Sequence, residues 1–515
     1  MKFKDLTPED IAYSKSIYLD KAISYDTRME KLSTFFDKSQ STVKKWISNL
    51  NFTTSATSAE ESEELKRAKI RKFDKSKKRF MITWAQNETP VHKKFFANME
   101  SYAKHIDADI HVIAGRYKNP TSVFNDKFEN WDDHVLPFLD ANRHDIHKYV
   151  SILSDIKIQP TAVNPMTGLQ GITGINSCII GHPRVQLQVI PALEGSKPKM
   201  MLTTGACTVK NYTDSKSGKK GEFHHALGFC IVEIKNKNTF FVRQVTARDD
   251  GSFIDLYFDV KNEEIKRVDE ISAAILGDIH LGHTDPTVMK ATRELLTKLT
   301  PINTIIHDIF DGYSISHHDR DNPILQYRKE IEGRNVLKTE IDNMIEWIHE
   351  WKEFNLVVVR SNHDDFVDRW VVNTDWKKDV KNSMEYMEYA KVLLNGEAPD
   401  GIIPYIINKN FKNVKTLGRQ DSFKLGKWEL GVHGDVGQNG SRGSLEQFRK
   451  LNTKIVVGHY HSPGRKDGAL AVGTSTVMRM GYNLGASGWM NSHVIIHKNG
   501  KAQHINFIDG EYTTL

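Results

Sequence analysis

In the stretch "AAILGDIHLG", Asp278 and His280 stand two residues apart just after a short apolar run. Residues i and i+2 of a strand face the same side, so such a pair at a strand's end can reach one object. A carboxylate with an imidazole suits a divalent cation, but two groups cannot hold one alone. The rest of the chain supplies more. "INTIIHDIFDG" brings Asp308 and Asp311, and "FNLVVVRSNHDDF" ends in Asn362, His363 and Asp364. "KWELGVHGDVG" brings His433, and "KIVVGHYHSPG" brings His459 and His461. Apolar runs that stop at ligand-type residues predict a sheet whose strand ends line one site. Oxygen and nitrogen ligands without thiolate suit Mn²⁺, Fe or Zn²⁺ better than Ca²⁺.

As an ordered set, D-x-H, D-x-x-D, N-H-D, H and G-H-x-H resembles the motifs of the calcineurin-like metallophosphoesterase superfamily. "DIHLG" and "DIFD" are most similar to its DNA-repair nuclease branch, the SbcD-type exonucleases. The resemblance covers about the last half of the chain. It implies a two-sheet sandwich flanked by helices, with the site at strand ends. It also implies a pair of divalent cations, Mn²⁺ foremost, with Fe, Zn²⁺ and Mg²⁺ as alternatives. By the family pattern Asp278, His280 and His461 bind one cation, Asn362, His433 and His459 the other, and Asp308 bridges them. His363 stands over the scissile phosphate as proton donor or charge stabiliser, Asp364 orients it, and Asp311 supports the ligands from behind. Two cations ~3.5–4 Å apart neutralise an anionic phosphodiester, align an in-line displacement and turn a shared water into the hydroxide nucleophile. Two departures stand out: His307 replaces the glycine before the second-motif aspartate, and Ser361 the glycine before the Asn-His pair. Both alter tight turns. His283, His317 and His318 lie near motif positions, either as substrate contacts or as ordinary surface histidines.

The elements that position these residues read as α/β. After "AAIL" comes helical "PTVMKATRELLTKL", and the whole of residues 266–515 reads as the phosphoesterase domain. Residues 80–265 read as an α/β middle domain of unassigned role. It opens with strand-like "RFMITWAQ", helix-like "PVHKKFFANMESYAKHI" and strand-like "ADIHVIAG", a pattern that predicts a parallel pair. "TGLQGITG" lacks both GxGxxG and a Walker lysine, so no nucleotide fingerprint is present. The loop at 210–225, with Lys210, Lys216, Lys219, Lys220, His224 and His225, reads as a mobile surface hairpin, with substrate-backbone contact as the sharper reading.

Residues 1–52 read as a small all-α domain. Met29, Leu32, Phe35 and Phe36 form one apolar stripe and Val43, Trp46, Ile47 and Leu50 another, around the turn "DKSQS". This resembles a helix-turn-helix motif, whose second helix would bring Ser41, Thr42, Lys44 and Lys45 to the DNA major groove. A helical bundle for protein contacts is the plainer alternative. Residues 53–79 run from small polar residues through Glu60, Glu61, Glu63 and Glu64 to Lys75, Lys77, Lys78 and Arg79. They read as a charged, solvated linker, with phosphate contact as a second role.

The chain has 515 residues and a net charge of +6, a weak pointer to a polyanionic partner. Three cysteines fit neither a disulfide framework nor a CxxC zinc site. No run approaches a membrane span, and the charged start lacks a signal-peptide core, so a cytosolic protein without membrane contact is expected. The layout, a helix-turn-helix before a phosphoesterase module, is similar to phage-encoded metallophosphoesterases, some linked to host-DNA degradation. The setting is then the host cytoplasm. DNA is the expected partner and self-association a further expectation. Exonuclease or endonuclease mode and an ATPase partner are not written in the sequence. The leading expectation is a two-metal DNA nuclease. The alternatives are a phosphatase or phosphodiesterase for a small nucleotide or phosphoprotein, and a DNA-binding regulator with an idle module.

Overall fold

The computed structural model describes residues 3–20, 25–50, 62–74, 76–121, 129–481 and 483–515. It divides into two compact units, Met1–Glu63 and Glu64–Leu515. In the first, helices Pro8–Leu19, Tyr25–Phe36 and Gln40–Asn49 enclose Met29, Leu32, Phe36, Val43, Trp46 and Ile47. Thr7 closes a capping box on the first helix, its hydroxyl accepting from Asp10 N at 3.1 Å. Ser39 opens the third, its Oγ 3.0 Å from both Ser41 Oγ and Thr42 Oγ1.

In the second unit the six-stranded sheet positions the candidate ligands. Strands Ala273–Ile275, Thr304–His307, Leu356–Val359 and Lys415–Leu417 are parallel neighbours, so their carboxyl ends lie side by side. Ser492–Ile496 and Ala502–Asn506 complete the sheet antiparallel. The strand interiors are Ala, Ile and Val, buried on both faces, as a helix-covered parallel sheet requires. One face packs on helices Pro286–Leu299, Leu337–Trp351, Asp365–Asn373 and Ile402–Asn410 through Leu295, Ile348, Val367 and Ile403. The other meets a ten-stranded sheet through Ile275, Ile305, Val357, Val456 and Leu470. Each such fully buried side chain contributes ~1.5–3 kcal/mol. Two facing sheets flanked by helices make a mixed α/β architecture.

The expected boundary at 265/266 is not where the chain divides. Gln186–Ile190 pairs antiparallel with Gly464–Lys466, so the ten-stranded sheet combines strands from both sides of that boundary. Its other half packs against a five-stranded sheet through Ile82, Ile152, Leu202 and Val242. There Arg79–Gln86 and Ala108–Gly115 form a parallel pair, joined by helix Lys93–His105. The middle segment therefore continues the sandwich.

The charged linker also needs correction. Glu63–Ile70 is a helix whose Leu65 and Ala68 are buried against Met81, Phe96 and Leu139. Lys77 pairs with Asp107 at 2.5 Å, and Arg79 Nη1 donates to Ile106 O at 2.8 Å. These cations are tied to the fold; Lys75, Glu60 and Glu61 lie outside the described residues. The 210–225 loop is not a hairpin. Lys216–His224 is a helix capped by Ser215, and His225 is buried, its rim held by Tyr212 Oη at 2.8 Å and Thr208 O at 2.9 Å. Among the described residues no helix is long and apolar enough to cross a membrane.

Candidate metal centre

Each candidate ligand follows a strand end, and several follow it through strained backbone. His280, Asp308, His459 and His461 have φ of 46°, 46°, 71° and 54°. Left-handed backbone is costly for residues with a Cβ and persists where surrounding structure enforces it, typically at functional sites. Here the turns swing the side chains off the sheet toward one point.

Asp278, His280, Asp308 and His461 are all buried and offer ligand atoms within 4.8 Å of one another. His461 Nε2 lies 3.1 Å from Asp278 Oδ2 and 3.0 Å from His280 Nε2. His280 Nδ1 donates to Asp311 Oδ1 at 2.9 Å. That bond fixes the ring so that Nε2 presents its lone pair to the cluster, the usual arrangement for a ligating imidazole. Asn362 Oδ1 gathers the other set, 3.0 Å from His433 Nε2 and 3.1 Å from His459 Nδ1. Asp308 joins the two: its Oδ2 is 3.5 Å from His280 Nε2 and 3.3 Å from His433 Nε2. The seven ligand positions therefore converge.

The electrostatics of this cluster favour a cation. Asp278 Oδ1 and Asp308 Oδ1 are buried without a hydrogen-bond partner. Such atoms cost ~1–3 kcal/mol each when nothing faces them. Burial alone would lower the pKa of His280 and His433, yet both are pushed up to about 9, Asp308 being the strongest opposing charge. The carboxylates thus draw positive charge inward, and a cation bound there would supply it in place of protons. The group can hold a metal ion on the chemistry of its donors.

His363 stands beside this cage, its ring 4.6 Å from that of His280. Its Nδ1 donates to the carbonyl oxygen of Asp311 at 2.6 Å, leaving Nε2 as the reactive nitrogen. Burial lowers its pKa. Asp311 thus sets both His280, through its carboxylate, and His363, through its backbone. Asp364 is different from expectation. Its Oδ2 accepts from Ser361 N at 2.8 Å, and its own N–H donates to Ser361 Oγ at 3.2 Å. It therefore closes the turn carrying Asn362 and His363 and makes no bond to His363. Burial pushes its carboxyl up to about 7. Ser361, in place of glycine, supplies half of that turn's bonds.

His307 is accommodated by Gly458: a Cβ there would come within 2.9 Å of His307 Cβ. Burial lowers the His307 pKa to about 4. His283 Nε2 accepts from Arg334 Nη2 at 3.0 Å and lies 3.7 Å from Asp311 Oδ2, extending the wall of the site. Two further residues border the site without any motif to announce them: Trp489, whose ring meets the His461 ring at 4.2 Å, and Asp435, paired with Arg419 behind His433. Only the spacing of Asp435, two residues after His433, could have suggested it. In the first unit Ser41, Lys44 and Lys45 are exposed and Thr42 is half-buried at the start of the third helix.

The chain is 31% identical over 472 residues to Protein A1 of Escherichia phage T5, a match spanning 85% of this chain and 83% of that protein. It belongs to the Protein A1 family. No family model and no solved structure matches the chain. In this chain the buried Asp and His cluster described above is a feature from which chemistry can be argued.

Proposed function

We propose that this protein is a two-metal phosphodiesterase that cleaves DNA. The observation that carries the reading is the convergence of Asp278, His280, Asp308, Asn362, His433, His459 and His461 around unpartnered carboxylate oxygens, with His363 alongside. Asp278, His280 and His461 would hold one cation and Asn362, His433 and His459 the other, with Asp308 shared. The mixed oxygen and nitrogen donors suit Mn²⁺, Fe or Zn²⁺, and the resemblance to the metallophosphoesterases puts Mn²⁺ first. Bound there, divalent cations supply charge neutralisation of a phosphate and a more acidic water. The protein's own groups do the rest. Asp311 holds His280 in its ligating tautomer and aims His363. An anionic phosphate next to His363 favours the doubly protonated ring, which can then give the Nε2 proton to the leaving oxygen. Support for DNA comes from the resemblance of "DIHLG" and "DIFD" to the SbcD-type nucleases and from the helix-turn-helix-like first unit, while the phage relative supports a phage setting.

The test is hydrolysis with Mn²⁺ of linear, circular and single-stranded DNA beside bis-p-nitrophenyl phosphate. DNA cleavage is expected. Hydrolysis of the small ester with DNA intact would replace the nuclease reading by the small-nucleotide or phosphoprotein one. No hydrolysis by a metal-loaded sample would favour the regulator. His363→Ala should lose ~10²–10⁴-fold in turnover while keeping metal. Lys44→Ala with Lys45→Ala should lower the salt slope of duplex binding by about 2.

A further inference from the structure

His317 and His318 found no role in the metal centre, yet they are linked to it ring by ring. The His363 ring stacks on Phe366 at 4.7 Å and 26° between planes. Phe366 receives the edge of His317 at 4.9 Å and 85°, and His317 lies 4.0 Å from His318 at 36°. With His280 at 4.6 Å from His363, the series runs without a break from the buried cage to the surface. His280 and Phe366 are buried and His363 is half-buried, whereas His317 and His318 are exposed. Two arginines bear on His317, Arg369 and Arg320, each with a carboxylate beside it, Asp365 at 3.8 Å and Asp321 at 3.7 Å. An exposed aromatic pair flanked by two guanidinium groups, joined to the residue proposed to face the scissile phosphate, matches one ligand chemistry. It suits an unpaired nucleobase on a phosphate backbone, for which stacking supplies ~1–3 kcal/mol per base and nearby cations hold the backbone.

We infer that His317 and His318 form a stacking platform for the nucleotide flanking the bond to be cut, so that the site takes a nucleic-acid strand with unpaired bases. This rests on the phosphodiesterase reading and narrows its substrate. A base held in a duplex stack presents its edges, not its face, and cannot lie on the pair without being splayed out.

The experiment uses the full chain and a phosphorothioate DNA hexanucleotide carrying 2-aminopurine, too short to form the duplex that a helix-turn-helix reads. Binding to the native protein should quench 2-aminopurine fluorescence. His317→Ala with His318→Ala should abolish the quenching, raise Kd about tenfold, and lower the ratio of single-strand to small-ester kcat/KM by a similar factor. His317→Phe with His318→Phe should restore the quenching, because a π-face suffices; loss in both pairs would mean that charge alone acts and would overturn the platform. Quenching that survives the alanine pair would also overturn it, while small-ester hydrolysis left the phosphodiesterase reading standing. Quenching lost with the alanines and restored with the phenylalanines, in a protein hydrolysing neither ester nor DNA, would support the platform and sink the phosphodiesterase reading alone.

Discussion

Arg243 lies buried between Glu233 and Asp255 much as Asp308 lies buried among His280 and His433, but the two surroundings are finished differently. The Arg243 guanidinium donates to Asp255 through Nε at 2.7 Å and Nη2 at 2.8 Å, and to Glu233 through Nη1. Tyr102 Oη and Gln503 Nε2 donate to Asp255 at 2.7 and 2.8 Å. Thr513 Oγ1 and Thr514 N do the same for Glu233 at 2.8 and 2.6 Å. None of these carboxylate oxygens lacks a partner, and Glu233, Arg243 and Asp255 have ordinary backbone. Around Asp308, by contrast, Asp278 Oδ1 and Asp308 Oδ1 lack a hydrogen-bond partner, and His280, Asp308, His459 and His461 are themselves held in left-handed backbone. The Arg243 cluster satisfies its own charges. The cluster around Asp308 leaves positions for something else, and the fold tolerates the strain.

The largest expected effect tests the open cluster directly. Asp308→Asn should remove metal from a folded protein and reduce hydrolysis on the order of 10³-fold or more, because the shared ligand is gone. Elemental analysis and thermal denaturation read both halves. Native protein at a hundredfold excess of Mn²⁺ over Kd should gain ~2.7 kcal/mol of stability, and the variant should gain none. A variant that still carried metal in native amount would reduce Asp308 to an ordinary buried acid.

Arg243→Met tests the closed cluster. It strands Glu233 and Asp255 without their cation, so unfolding in urea should show a loss of ~3–5 kcal/mol. Metal content per folded molecule should not change. If metal were lost in step with stability, the two clusters would be one cooperative unit and the contrast would fail. Next in size is Asp311→Ala, which removes the carboxylate oriented on His280 Nδ1 but retains the backbone carbonyl for His363. Metal affinity, read by chelator competition, should fall ~10–100-fold. An unchanged affinity would show that the His280 ring is fixed by packing alone.

How much of this could be read beforehand follows from where each signal lies. Asp278, His280, Asp308 and Asn362 each follow an apolar run within a few residues, so the strand end and the ligand are one local pattern. The parallel pair Arg79–Gln86 and Ala108–Gly115 was legible for the same reason: the crossover helix lies between them. The pairing of Gln186–Ile190 with Gly464–Lys466 joins strands far apart in the chain and leaves no mark on either. The domain boundary was misplaced on that account. The expected support of His363 by Asp364 is absent because adjacency in sequence says nothing about direction: the turn points the Asp364 carboxylate back at Ser361 N, away from His363. The role of Phe366 in joining His363 to His317 and His318 depends on ring contacts between separate segments, which spacing does not encode.

The smallest effect concerns another buried charge cluster and is seen through pH. Asp140 accepts from His144 Nε2 and Asn142 N, each at 3.0 Å, and from Ser154 Oγ at 3.2 Å, with His111 Nδ1 at 3.6 Å. The other nitrogen of His111 lies 3.0 Å from Asp109 Oδ2, and Arg71 stands 4.0 Å from Asp109. Burial would raise the Asp140 carboxyl, yet its hydrogen bonds, from His111 first, hold it well below the ordinary range. Burial would lower His111, yet Asp109 and Asp140 raise it. The depressed carboxyl contributes stability that is present above ~3.9 and lost as pH falls toward its folded value; the raised imidazole contributes stability complete below ~6.5 and lost as pH rises through its folded value. Both contributions coexist only between those limits. Asp140→Asn should therefore cost more stability at about pH 5.5 than at about pH 9, on either side of the ordinary imidazole value. Urea midpoints at the two pH values check it. Equal costs would mean that His111 is neutral in the fold and that Asp140 acts only as a hydrogen-bond acceptor. At each pH, metal content should be the same with and without Asp140, since none of the candidate ligands contacts this cluster.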